Sequence, residues 1–321
     1  MANQSTPDLL FEIRNSFFIG NYQYCINEAQ KLKFNDPNVT LEKDVFMYRA
    51  YIAQHKYGVV INDITSSSEP ELQHIKMLAV YLSGNPDKKK DVVISLENKL
   101  QNVNPEDKTL PLIAGLIYYL EEIYKTHLIG QNYDSTLRLL HKSDNLECRA
   151  LTIQIYLKIN RIDLAQKELN AMKEIDEDCT LTQLAQAWVN LNKSGDKLQD
   201  AYYTFQEMVD KYANTPMLLN GEAAALCAMG KYEEAETLLQ EALDKDPNCP
   251  ETLINMTVVS QHLGKTNEFH IFNKLFLKQV SSRYLSQLKD SYKDHPFVKD
   301  YNSKEQEFDR LVKAYAPVVS S

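Results

Sequence analysis

The sequence predicts an all-α fold, a right-handed α-solenoid of stacked helix pairs that ends in a C-terminal helical cap. The first observation is an internal repeat, because GNYQYCINEAQKLKFNDPN (20–38) and GKYEEAETLLQEALDKDPN (230–248) share a glycine, a tyrosine two residues later and a closing Asp-Pro-Asn. Their separation of 210 residues equals six units of about 35 residues, a period typical of helical repeat arrays. Length is the second observation, since 321 residues exceed the usual size of one hydrophobic core. Composition is the third, because only 9 glycines indicate few sharp turns and much helix.

The repeat is clearest at residues 217–248. A first helix is expected over 217–229, followed by Gly230, because glycine just past a helix end adopts the left-handed conformation without steric cost. A second helix is expected to continue until Pro247, which lacks the N–H donor that another turn needs. Apolar positions recur at helical spacing, at Leu219, Ala223 and Leu226 on the first helix and at Tyr232, Ala235, Leu239 and Ala242 on the second.

The same frame recurs in order along the chain. Turns are expected at Gly20, His55, Asn160, Gly195 and Gly230. Each is followed by a small or slender residue where two helices cross closely, at Cys25, Val60, Ala165, Ala201 and Ala235. Two weaker units lie at 88–100 and 133–140. A downstream unit at 253–276 keeps a turn glycine, Gly264, but has Phe269 where the small residue belongs.

This order of glycine, tyrosine, small residue and Asp-Pro resembles the tetratricopeptide repeat. We therefore expect a tetratricopeptide-like superhelix over residues 1–278, most regular at 9–38 and 146–248 and irregular at 70–140. Neither helix of such a pair can bury its apolar face alone, so neighbouring pairs must stack. The alternative is an irregular helical bundle in which the spacing of the turn and crossing residues is coincidental.

Residues 279–321 are expected to form the helical cap. Tyr284, Leu288 and Tyr292 share one helical face, and His295-Pro296 then ends that helix. The aromatic and apolar residues of a last helix follow, at Phe297, Tyr301, Phe308, Leu311 and Tyr315. Such a pair would cover the open end of a solenoid, and its aromatic side chains equally suit an interface.

Charge and composition exclude several classes of function. A net charge of −9 disfavours nucleic-acid binding, which depends on clustered Lys and Arg. The N-terminus has no signal-peptide pattern, and the longest near-apolar stretch, 110–120, is about half of a membrane span. Five cysteines without Cys-x-x-Cys spacing suit a reducing compartment. We therefore expect a cytoplasmic protein, and because no amphipathic basic helix is found in the sequence, we expect any contact with membranes to be peripheral and indirect.

Motifs for catalysis are not found in the sequence. Gly264-Lys265-Thr266 imitates the end of a phosphate-binding loop, but Val259 stands where the leading glycine is required. The seven histidines are scattered, and adjacent glutamates such as Glu233 and Glu234 diverge on a helix. The sequence therefore predicts no enzyme, no metal and no cofactor.

A superhelix of this kind has a concave groove. Its inner wall is expected to consist mainly of first-helix residues that point away from the second helix. The wall residues are mostly small and apolar, with Asn and Gln among them. Such a wall suits an extended protein segment, because Asn and Gln can both donate hydrogen bonds to its backbone and accept hydrogen bonds from it. The predicted partner-binding residues are Arg14, Phe17, Arg49, Ile52, Gln154, Leu157, Ala185, Val189, Asn192, Asn220, Ala224 and Cys227. A clamp for acidic peptides is disfavoured, since only Lys158 and Lys193 approach it. Each wall residue has the alternative of being a packing residue.

Longer blocks resemble one family, the epsilon subunits of coatomer. They include LAQAWVNL (184–191), GDKLQDAYYTFQEM (195–208), EEAETLLQEALDKDPNCPETLINM (233–256) and RYLSQLKDSYKDHPFVKDY (283–301). The resemblance implies a non-catalytic subunit of the vesicle coat at Golgi membranes, whose superhelix winds around a segment of the C-terminal domain of the alpha subunit. A peptide-binding scaffold or co-chaperone, and an enzyme regulated by repeats, are the competing interpretations.

Overall fold

The computed structural model of the chain describes residues 8–84, 86–101, 107–125, 133–266 and 271–315. These residues form seventeen α-helices and no strand, which confirms the predicted all-α class. In chain order the helices are α1 (Phe11–Phe18), α2 (Tyr22–Lys31), α3 (Pro37–Ala53), α4 (Tyr57–Asp63), α5 (Pro70–Leu82), α6 (Pro86–Leu100), α7 (Thr109–Lys125), α8 (Asp134–Leu140), α9 (Leu146–Lys158), α10 (Ile162–Ile175), α11 (Thr180–Lys193), α12 (Lys197–Lys211), α13 (Pro216–Ala228), α14 (Tyr232–Lys245), α15 (Pro250–Thr266), α16 (Ile271–Ser291) and α17 (Pro296–Ala314).

The predicted crossing positions lie in the core. Cys25, Val60, Ala165, Ala201 and Ala235 are all fully buried. Each lies near the start of a second helix, where a larger side chain would hold the two helices apart. The small-residue pattern of the sequence therefore corresponds to close helix packing.

Left-handed residues separate the helices at the predicted turns. Gly20 and Gly230 have φ angles of +80° and +79°. His55 and Asn160 adopt φ angles of +60° and +57° without being glycine. Such a backbone conformation ends a helix, and glycine adopts it at the lowest steric cost.

The Asp-Pro motif at residues 36–37 begins a helix, whereas the copy at 246–247 follows the end of α14. Asp36 precedes α3, and its side chain accepts a hydrogen bond of 2.9 Å from the backbone N–H of Asn38. Pro37 occupies the first turn, where its missing N–H costs nothing. The motif therefore acts as a helix cap.

The turn predicted at Gly264 is wrong, because α15 continues to Thr266. Val259 and Leu263 are buried on this helix. Their burial outweighs the cost of about 1 kcal/mol for a glycine within a helix. Phe269 lies outside the described residues.

The irregular stretch 70–140 still contains paired helices. Its small residue is Gly115 on the first helix of a pair, α7, rather than a residue on the second. A Cβ atom at Gly115 would lie 2.6 Å from Leu140 Cδ2 on α8 and 3.3 Å from Leu151 Cδ2 on α9. The absence of a side chain thus permits the close approach of three helices.

The chain divides into two compact units. Unit 1 comprises Met1–Glu122 and Asn132–Leu218, and unit 2 comprises Ile123–Gln131 and Leu219–Ser321. The predicted boundary between repeats and cap, at 278/279, stays a prediction, and α16 is continuous across it.

Within unit 1, the first helices of six consecutive pairs form a closed ring. These first helices are α1, α3, α5, α7, α9 and α11, and successive members pack through apolar side chains. The ring closes because α1 also contacts α11, where Thr180 Oγ1 donates a buried hydrogen bond of 2.8 Å to Asn15 Oδ1. A linear stack would leave α1 at an open end, so closure changes what the inner wall can hold.

Candidate functional site

A cavity of about 680 Å³ lies inside the ring of unit 1, and we call it the central cavity. All six first helices contribute to its lining, and α5, α7, α9 and α11 do so through their N-terminal turns. The lining residues on these helices include Phe11, Arg14, Phe18, Leu41, Glu42, Phe46, Arg49, Glu71, Thr109, Leu112, Glu147, Thr180 and Leu181.

Arg49 spans one side of the central cavity. Its guanidinium donates two hydrogen bonds to Glu147, from Nη1 to Oε1 at 2.9 Å and from Nη2 to Oε2. The side chains of Arg49 and Glu147 are only 10 % and 16 % exposed. The guanidinium carbon also lies 4.5 Å from the ring centre of Phe17 and 5.2 Å from that of Phe46. Arg49 thus joins α3 to α9 by an ion pair and a cation–π contact.

Arg14 lies in a more open part of the lining. Its guanidinium is 2.8 Å from Asp8 Oδ2 and 2.7 Å from Glu42 Oε1. The Arg14 side chain is 35 % exposed, so solvent screens both pairs. The structure therefore brings Arg14 and Arg49 together in the lining of one cavity, while Phe17 contacts Arg49 without lining the cavity itself.

Residues just before and within α13 also contact the N-terminal helix pair. Thr215 Oγ1 donates a hydrogen bond of 2.6 Å to the carbonyl oxygen of Ile19, 196 residues earlier in the chain. A Cβ atom at Gly20 would lie 3.1 Å from Met217 Cβ. Gly20 thus serves both the turn and the close approach of the N-terminal pair.

The electrostatics of the cavity are close to balanced. The lining contains three basic residues and six acidic residues, a net charge of −3. The N-termini of four helices point their positive dipole ends at this region, each equivalent to about half a positive charge. These dipoles offset most of the acidic excess, so the cavity suits a neutral segment better than a strongly charged one.

Several predicted wall residues lie in the core. Ile52, Ala185 and Val189 are buried between neighbouring repeats. Leu157 is half-buried, and Gln154 and Asn192 are exposed on α9 and α11. None of these six lines the central cavity, and their contact with a partner stays a prediction.

Asn220, Ala224 and Cys227 belong to unit 2. Asn220 Nδ2 donates to Thr252 Oγ1 at 2.7 Å, and Asn220 Oδ1 accepts from Asn255 Nδ2 at 2.8 Å. The amide of Asn220 therefore joins α13 to α15. Ala224 and Cys227 are half-buried, and burial raises the pKa of the Cys227 thiol.

Residues that the sequence reasoning did not select also line the cavity, such as Phe46, Glu42 and Thr180. The pairing of Glu147 with Arg49 was not predicted, because the two residues lie 98 positions apart in the sequence. A single sequence carries no signal for such a long-range pair.

Cys25 on α2 and Cys148 on α9 carry buried thiols, and neither residue lines the central cavity. Burial raises the pKa of the Cys25 thiol to about 12 and that of Cys148 to about 11, so neither is an activated nucleophile. Within the described ranges, His, Cys, Asp and Glu side chains form no group of three that could hold a metal ion. Among the described helices, none combines the length and apolarity that crossing a membrane requires.

Comparisons with known proteins agree on one family. The model of the family described as coatomer epsilon subunit matches residues 6–316. Coatomer subunit epsilon-1 of Arabidopsis thaliana is 40 % identical over 98 % of this chain and 100 % of its own length. Coatomer subunit epsilon of Dictyostelium discoideum is 34 % identical, over 95 % of this chain and 97 % of its own.

A solved structure gives the likeness at the level of the fold. A tetratricopeptide repeat protein from Parabacteroides merdae superimposes with a TM-score of 0.55, covering 87 % of this chain and 96 % of that one. Its sequence is 12 % identical, so the likeness supports the helical repeat fold alone.

Proposed function

The chain belongs to the coatomer epsilon subunit family, and from this we infer that it is a non-catalytic structural subunit of the coatomer (COPI) vesicle coat. In this role it supports Golgi-to-ER retrograde and intra-Golgi transport. It acts in the cytoplasm, on the cytosolic face of Golgi membranes and coated vesicles, and it reaches the membrane through other coat subunits.

We further propose that its direct partner is the coatomer alpha subunit, and that it binds and stabilises the C-terminal domain of that protein. The observation that carries this proposal is the central cavity, with a ring of six first helices around it. Its volume of about 680 Å³ is that of a ligand pocket, enough for the side chains at the tip of one protein segment. Near-neutral electrostatics and aromatic lining suit an apolar or amide-rich tip.

Co-expression with the C-terminal domain of the alpha subunit, followed by gel filtration, tests the proposal. Wild type is expected to co-elute with this domain. Phe11→Asp with Leu41→Asp places two charges in the cavity lining and is expected to abolish co-elution. The matched control is Tyr24→Asp with Val59→Asp, which changes apolar residues of α2 and α4 that lie outside the lining.

The results test the identity of the partner and the location of its binding site separately. If wild type does not co-elute, the alpha subunit is not the direct partner. If the cavity variant still co-elutes, the partner binds elsewhere, and Ala224→Arg with Cys227→Arg then tests the predicted wall in unit 2.

A co-chaperone that holds acidic peptides is the competing function. Such a site needs basic side chains that are available to a peptide carboxylate. Arg49 is already paired with Glu147, and Arg14 with Asp8 and Glu42, which disfavours a clamp here. Salt-sensitive binding of short acidic peptides by the isolated chain would favour it instead.

A further inference from the structure

The last helix, α17, is attached to the described part of unit 2 through its N-terminal half only. Val298 is buried, and the Lys289 ammonium on α16 lies 4.5 Å from the ring centre of Tyr301. The same ammonium is 3.0 Å from Glu305 Oε2. From Lys304 to Tyr315, every residue is exposed.

The projecting part of α17 carries a continuous apolar face. Four large side chains form what we call the terminal stripe: Phe308 (66 % exposed), Leu311 (49 %), Val312 (51 %) and Tyr315 (83 %). Their spacing of i, i+3, i+4 and i+7 places the first three on one side of α17, and Tyr315 follows directly after the end of the helix. This is the pattern of anchors with which an amphipathic helix binds an apolar groove.

α17 has 19 residues, and the large apolar side chains of its C-terminal half are exposed. Most helical stability in proteins comes from burying one apolar face, and this segment has such a face uncovered. Two aromatic side chains on one exposed face are also more than scattered surface residues, and such patches mark interaction sites.

The charges beside the stripe indicate what covers it. Glu307 and Asp309 lie on the two sides of the stripe, about 90° and 110° from its centre, whereas Arg310 and Lys313 lie about 150° from it. Lys304, also beside the stripe, is already paired with Asp300 at 2.8 Å. An apolar groove whose rim carries Lys or Arg complements this arrangement.

The same charges disfavour the two other occupants. A membrane surface is anionic, and helices that lie on it carry Lys and Arg beside the apolar face rather than Glu and Asp. A second copy of this chain would add its own acidic borders and its own net charge of −9. A protein groove with a basic rim is therefore favoured.

We propose that the terminal stripe docks into an apolar groove with a basic rim on the C-terminal domain of the coatomer alpha subunit, as a second contact besides the central cavity. This inference rests on the proposed function. A protein that is held permanently in a coat needs permanent cover for an exposed apolar face, and the partner already held can supply it. Two linked contacts would also raise the affinity above that of either one.

Affinity measurements on the full chain and the purified C-terminal domain of the alpha subunit test this proposal. Phe308→Gln with Leu311→Gln removes apolar surface without adding charge, and glutamine retains good helix propensity. The dissociation constant is expected to rise at least tenfold. The control, Gln306→Ala with Arg310→Gln, alters the opposite face of the same helix and is expected to leave the dissociation constant unchanged.

A second variant tests the basic rim. Glu307→Lys with Asp309→Lys is expected to slow association several-fold at low salt, and the difference is expected to fade as salt rises. Faster association of this variant would overturn the assignment of a basic rim.

The remaining outcomes are also decisive. If wild type does not bind the alpha domain, the proposed function fails and this inference fails with it. If wild type and the Gln variant bind equally, only this inference is overturned. Loss of self-association, or of flotation with phosphatidylserine-containing vesicles, in the Gln variant with unchanged alpha binding would assign the stripe to a second copy or a membrane instead.

Discussion

Arg49 shows how one side chain connects distant parts of unit 1. It is paired with Glu147 across 98 residues of sequence and lies over the Phe17 ring. Arg49→Gln is expected to lower the free energy of unfolding by about 3 kcal/mol, because Glu147 is left as a largely buried, unpaired carboxylate. Urea denaturation measures this change.

Arg14→Gln is the matched control for Arg49, since it removes an arginine from the same cavity. The Arg14 pairs are more exposed, so a loss below about 1 kcal/mol is expected. Equal losses of unfolding free energy in the two variants would mean that burial of the Arg49–Glu147 pair does not increase its contribution to stability.

His74 makes the stability of unit 1 depend on pH. Burial lowers the pKa of His74, and the nearby Lys99 ammonium lowers it further, while Asp107, 3.4 Å from Nδ1, acts in the opposite direction. Because the unfolded chain takes up this proton near pH 6.5, the folded state loses stability as the pH falls below about 6.5.

Wild type is therefore expected to lose more stability than His74→Gln between pH 7.5 and pH 5. The measurement is the free energy of unfolding of both proteins across this range. The difference isolates His74 from the carboxylates, which titrate in both proteins. Parallel pH profiles would contradict the lowered pKa.

At the scale of helices, Gly115 sets the distance between α7 and its neighbours. Gly115→Ala is expected to destabilise the protein by about 1–3 kcal/mol, because the new Cβ would lie 2.6 Å from Leu140 Cδ2. Gly58→Ala in α4 is the matched control, because no atom lies within 4 Å of its Cβ position. That control is expected to gain up to about 1 kcal/mol through helix propensity. Thermal unfolding of both variants distinguishes steric from propensity effects.

The helices and their crossings follow from local patterns in the sequence. Ala165, Ala201 and Ala235 are buried where the repeat frame predicts. A period of about 35 residues arises because the same packing of two helices is repeated along the chain. Gly264 misled the same reasoning, since a glycine can remain inside a helix when its neighbours are buried. The small residue of the α7–α8 pair was missed because it lies on the other helix of the pair.

At the scale of the whole molecule, closure of the ring changes how unit 1 opens. A linear repeat array frays from its terminal repeats, whereas α1 is held against α11 by the buried Asn15–Thr180 hydrogen bond. Native-state hydrogen exchange is therefore expected to show similar protection in α1 and α11. Asn15→Ala is expected to lower protection in both helices together. Protection that rises steadily from α1 towards α11 would indicate a linear array.

The inner wall could be predicted from the sequence only in part. Arg14 and Arg49 line the central cavity because residues on first helices do form the inner wall, and Phe17 packs against Arg49 outside the lining. Ile52, Ala185 and Val189 are instead packed between repeats. Which first-helix residues face inward depends on where the ring closes, and closure is made by contacts up to 196 residues apart. No local pattern encodes them.

The contact between Ile19 and Thr215 joins residues that the ribosome adds at different times. Thr215 is added 196 residues after Ile19. At about 5–20 residues per second, the interval between them is about 10–40 s. For most of this time, until α11 has been synthesised, the nascent N-terminal helix pair presents Phe18 and Ile19 without their cover on that helix. Apolar surface of this kind is what nascent-chain chaperones bind, and the contact between Ile19 and Thr215 forms only after two thirds of the chain has been translated.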